Sequence, residues 1–166
     1  MFSFFKKKKP EPLINQVLGT IRERNGDWSS DHPVMVTLWG NSFKLDVFGP
    51  RSSDGIPICP LQEQTYLRFL KEKDANLKLI ENAVLDFIQA EDVSLPPSDF
   101  IPRELLLNSN GECAVMGVFD TEEEDDAPDL AVVLYPKVAA FVGEEYLNHV
   151  YFGVRHEIKE ELYGKD

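Results

Sequence analysis

Cysteine is scarce in this chain of 166 residues, which has only Cys59 and Cys113. The two are far apart and neither belongs to a Cys-x-x-Cys pair. The pattern therefore gives no disulfide framework, zinc ribbon or dithiol redox motif, and each cysteine reads as a small apolar core residue. Also missing are the glycine-rich loops that cradle phosphates, the Gly-x-Ser-x-Gly nucleophile elbow and the His-Glu-x-x-His zinc motif. The sequence thus nominates no catalytic residue, no cofactor-binding residue and no metal ligand. No apolar run approaches the ~20 residues of a membrane span. The apolar residues at the start precede the lysines and are too few for a signal peptide. A reducing, cytoplasmic compartment is the expectation.

Basic residues are the next shortage, and it is local. Residues 1–83 hold 12 Lys and Arg against 10 Asp and Glu, whereas residues 84–166 hold 5 against 19. A surface so charged repels nucleic-acid phosphates and favours a basic macromolecular partner. The lysines of the first half are concentrated in MFSFFKKKKP. Residues 1–10 read as a flexible, solvated tail. The competing reading is reversible contact of Lys6 to Lys9 and the phenylalanines with an anionic membrane surface.

The remaining residues, 11–166, suit one domain with a sizeable core. The clearest periodicity lies between Pro60 and Asp92. Leu77, Ile80, Val84, Phe87 and Ile88 share one helical face, and Tyr66, Phe69 and Leu70 form a shorter stripe. Pro60 fits a first helical position. Asp74 can cap a second helix, which places a break at Glu72–Asp74. Earlier, Leu13, Ile14, Val17, Leu18 and Ile21 predict an N-terminal amphipathic helix ended by Asn25-Gly26, followed by a polar loop from Trp28 to Pro33. Val34–Trp39 and Phe43–Phe48 flank Gly40-Asn41-Ser42 and predict a β-hairpin. After the prolines at 96, 97 and 102, strands are expected at Leu105–Leu107, Glu112–Phe119, Leu130–Tyr135 and Val138–Val142. A further apolar segment, His149–Val154, is also a strand candidate, and Arg155–Tyr163 reads as a terminal helix. The fold class is α+β: an antiparallel sheet packed against the helical segment 60–91.

The most distinctive polar stretch is Asp120–Asp129. Its Glu122, Glu123, Glu124, Asp125, Asp126 and Asp129 are the candidate partner-binding residues. The stretch lacks the glycine and spaced oxygens of an EF-hand, so docking of a cationic surface competes with a solvated hairpin tip that discourages edge pairing. His149 and His156, with Glu157 and Glu160, match no familiar metal-ligand spacing. His32 has no obvious partner. Trp39, beside Gly40, reads as a rim residue of the core.

The segment LWGNSFKLDVF, the glutamine Gln62 opening PLQEQTYLRFL, and the pair ECAVMGVFD and DLAVVLYP resemble uncharacterised small bacterial α+β domains found near toxin-immunity genes. The resemblance spans about residues 34–145. It implies a non-enzymatic interaction module and carries over no catalytic residue. Two functions follow. The first is a protein-binding module, immunity-like, presenting its acidic half to a basic partner. The alternative is an acid- and histidine-based hydrolase with an unrecognised site.

Overall fold

A computed structural model describes residues 13–24, 26–52, 56–92, 94–120 and 129–165. The tail at 1–10 and most of the acidic stretch, including Glu122, Glu123, Glu124, Asp125 and Asp126, lie outside the described residues.

Among the described residues nine strands form one mostly antiparallel sheet. The stretch expected as an N-terminal helix is instead β1 (Leu13–Asn15), a turn, and β2 (Gly19–Arg24). The Asn15 side chain accepts hydrogen bonds from the amides of Val17 and Leu18 at 2.8 and 2.9 Å, and Gly19 follows at φ +78°. This Asx turn folds the chain back where a helix would continue. Leu18 and Ile21 are buried, but Leu13 and Ile14 are exposed, so the helical spacing matched neither the conformation nor the full buried set. Part of the expected polar loop is β3 (Asp27–Ser30), which buries Trp28 completely.

The hairpin forms as β4 (Val34–Leu38) and β5 (Asn41–Pro50). Its turn sits at Trp39-Gly40, one residue earlier than the glycine-asparagine pair suggested. Both residues have positive φ, 47° and 77°, as a tight hairpin turn with the right twist requires. β3 and β4 follow one another along β5, pairing with its end and its beginning. β5 also pairs with β6 (Phe100–Leu107), and this pair is parallel. A parallel pair needs a long crossover, which α1 (Pro60–Lys71) and α2 (Lys73–Ala90) provide. The helices break at Glu72, which caps α2 without a side-chain bond, so Asp74 lies inside the first turn and is not the cap.

Gln62 ties this crossover to the sheet. It is fully buried, its amide donates to the carbonyls of Pro50 and Leu107 at 3.0 and 2.9 Å, and its oxygen accepts from the Cys59 amide at 3.0 Å. Gly49 leaves room for it, since a Cβ there would come within 2.3 Å of the Leu107 carbonyl. Leu77, Ile80, Val84 and Ile88 are buried as expected, whereas Phe87 is only half-buried at the core's edge.

β7 (Cys113–Phe119), β8 (Leu130–Tyr135) and β9 (Ala139–Val142) complete the sheet in antiparallel order. The His149–Val154 segment is not a strand: it forms the end of α3 (Gly143–Phe152) and the residues after it. α4 (His156–Tyr163) follows as expected. These helices cover the face opposite α1 and α2. A second core forms there from Leu106, Ala114, Met116, Ala131, Val133, Tyr146, Ile158 and Leu162. Strands β6 to β8 are thus covered on both faces, which explains why β8 is buried at every position.

Candidate functional site

The second core is organised around one carboxylate. Asn108 to Gly111 turn the chain from β6 into β7, with Gly111 at φ +93°. The Asn108 amide donates to the Glu112 carbonyl at 2.9 Å, and the Glu112 amide donates to the Asn110 side-chain oxygen at 3.0 Å. Glu112 is thereby aimed into the space beneath α3 and α4. Its side chain is fully buried. The Tyr163 hydroxyl donates to it at 2.6 Å, the Asn110 amide at 2.7 Å and the Tyr146 hydroxyl at 3.1 Å. Nε2 of His149 lies 3.0 and 3.2 Å from its two oxygens. Tyr146 and His149 stand three apart on α3 and so share a face, while Tyr163 ends α4.

Burial pushes the Glu112 carboxyl up, but the hydrogen bonds of Tyr163 and Asn110 and the neighbouring His149 outweigh it, and the net direction is down. Burial and the same carboxylate push the Tyr146 and Tyr163 hydroxyls up, so both stay protonated donors. A carboxylate has roughly four lone-pair sites, and here the surrounding donors fill them. The group is a satisfied anchor joining the turn, α3 and α4. A general base would need an unoccupied lone pair facing a substrate.

The predicted groups are placed differently from their grouping in the sequence. His149 meets Glu112, while His156 pairs with Glu160 on its own helix at 3.1 Å, so His149, His156, Glu157 and Glu160 form no cluster. Among the described residues no group of three or more His, Cys, Asp or Glu is placed to hold a metal. Cys59 and Cys113 are free, and burial raises the Cys113 thiol far above its ordinary range. Trp39 packs edge-on against Phe100 at 6.3 Å, in the expected rim role. His32 is exposed beside Gly19.

Asp129 is the described member of the acidic set. It is exposed, and its carbonyl accepts from the Gly143 amide at 2.7 Å, where α3 begins. It belongs to a larger anionic surface. Asp46 and Glu104 stand in register on the parallel strands β5 and β6. Partial burial, then Asp46, then Asp129 push the Glu104 carboxyl up, and Arg103 offsets this only in part. At the far end of α3, burial first and then the neighbouring Asp27 push the Tyr151 hydroxyl up.

The chain matches no protein-family model, no curated protein and no solved structure. No helix of the described residues is long and apolar enough to cross a membrane.

Proposed function

We propose that this chain is a cytoplasmic, immunity-like protein-binding module that presents its acidic half to a basic partner. The observation that carries the reading is the crowding of Asp46, Glu104 and Asp129. Like charges in register on adjacent strands destabilise a sheet; partial burial is the first cause of the raised Glu104 carboxyl, and Asp46 and Asp129 add to it. A cationic side chain supplied by a partner would relieve the repulsion and draw attraction from all three carboxylates. The resemblance of residues 34–145 to small domains encoded near toxin-immunity genes favours the same class. A hydrolase built on Glu112 and His149 is not favoured, because the carboxylate is fully buried and its acceptor sites are taken.

The test is capture of partners from the native host at about 50 and about 500 mM salt, roughly a threefold change in Debye length. Two variants accompany the native chain: Asp46→Asn with Glu104→Gln and Asp129→Asn, and Gln or Asn at Glu122, Glu123, Glu124, Asp125 and Asp126. The expected result is a basic partner whose recovery falls with salt and with neutralisation. The same partners at the same yield throughout would overturn the proposal.

A further inference from the structure

We propose that the edge strand β9 takes up an extended, basic peptide segment of a partner protein as an additional strand. Among the described residues β9 ends the sheet and pairs only with β8. The Gly143 amide donates to Asp129 across that pair. By the alternation of antiparallel bonding, Phe141 and Ala139 also face β8, which leaves the N–H and C=O groups of Ala140 and Val142 on the outer side. No proline, lysine or bulge interrupts Ala139–Val142, although edges not meant for pairing usually carry one.

Clefts open on both faces of this strand. One, of about 640 Å³, lies between β9 and α2 and is lined by Leu79, Ala83 and Phe87 with Asp86 and Glu91 at its rim. The other, of about 620 Å³, lies between β9 and α4 and is lined by Phe141 and Ile158 with Arg155, Glu157 and Glu161. Glu145 lines both, so they meet around the strand's edge. Successive side chains of an added strand point to opposite faces and would enter the two clefts in turn. Main-chain bonds to the edge would give affinity and the clefts would give specificity, the usual division in strand addition.

Charge decides the occupant. Among the described residues the two rims hold Asp86, Glu91, Glu145 and Glu157 against Arg155, with Glu161 already paired to Lys137 at 3.0 Å, so the segment carries lysine or arginine among apolar residues. The proposal rests on the acidic-module reading for the sign of that charge; the strand geometry is independent of it.

The probe is a synthetic peptide alternating lysine and valine, compared with its glutamate-valine counterpart and with a version N-methylated at alternate residues. Binding is read by fluorescence anisotropy, and the amide shifts of the protein locate it. Ala140→Pro removes an outward N–H without touching the β8–β9 bonds, and proline is tolerated at such edge positions. An unchanged melting temperature confirms that the variant folds. The expected result is saturable binding of the lysine peptide, weakened at least about tenfold by Ala140→Pro and by N-methylation and by Glu145→Lys, with shifts at Ala140 and Val142. Equal affinity for the native chain and Ala140→Pro would overturn strand addition. If that binding still fell with salt and with Glu145→Lys, the acidic-module reading would stand alone. Equal binding of the glutamate peptide at every salt concentration would contradict that reading instead. Absence of saturable binding would overturn strand addition, as would self-association of the chain abolished by Ala140→Pro, because the edge would then serve a second copy.

Discussion

Removing the Glu112 side chain is the perturbation most sharply defined by the structure. Glu112→Ala takes away an acceptor that three donors reach at 2.6 to 3.1 Å, with His149 at 3.0 Å. The Tyr146 hydroxyl is then left fully buried and His149 nearly so. A buried donor stripped of its partner costs ~1–3 kcal/mol, and breaking a buried charged network by deleting one member costs ~3–5 kcal/mol. The expected loss is therefore about 3–5 kcal/mol, against a total stability of order 5–15 kcal/mol. For a chain of this length the melting temperature should fall by roughly 6–20 °C. Glu112→Gln keeps the shape but turns a donor toward donors, and should cost about half as much. Urea unfolding followed by circular dichroism measures both, and hydrogen exchange should show α3 and α4 losing protection before β6 to β8. An unchanged midpoint for Glu112→Gln would refute the reasoning and show that the cluster is open to water. The acid side has a definite sign. The folded carboxyl titrates below its unfolded value, so its contribution is fully present above the ordinary carboxylate range and is lost as pH falls through the lowered value. Glu112→Gln should flatten stability against pH in that acid window.

Other outcomes follow from the same contacts. Ile80→Ala, at a fully buried position, should cost about 2–5 kcal/mol by urea denaturation, with half-buried Phe87→Ala costing less than full burial would imply. Gln62→Ala should cost about 2–3 kcal/mol, because two sheet carbonyls and the Cys59 amide lose their partner; equal stability would show that water replaces the side chain. Native protein should label at Cys59 alone with a thiol reagent, and Cys113 should react only after unfolding, since it is wholly buried. Asp46→Asn should raise the melting temperature at neutral pH by relieving Glu104. That gain should vanish at low pH, once the raised Glu104 carboxyl is protonated and no longer repels its neighbour.

Much of this fold was legible in local patterning. The α1–α2 region, the 34–50 hairpin and the strands after residue 112 all announce themselves by apolar period and turn chemistry. Four features did not. In residues 13–24 the apolar spacing suits a helix, and only the Asx turn at Asn15 with the positive φ of Gly19 decides for strands. In α3, the eye is drawn to His149–Val154, but Phe152 and Val154 are exposed and it is Tyr146 that is buried. The Glu112 cluster joins residues 34 to 51 positions apart, and no local signal links them. A lone glutamate opening an apolar strand after Asn110-Gly111 was the one available hint. Asp46 and Glu104 were equally unlinked, because their register depends on the parallel crossover.

The central claim is that the acidic surface recognises a basic partner. Its most direct measurement is the association rate of the captured partner against ionic strength, by stopped flow, for the native chain and for Asp46→Asn with Glu104→Gln and Asp129→Asn. Steered association slows steeply as salt screens the charges. The account predicts that the native rate falls between about 50 and about 500 mM salt and that the neutralised variant is slower at low salt with a flatter dependence. Equal rates and equal salt slopes for the two proteins would contradict it.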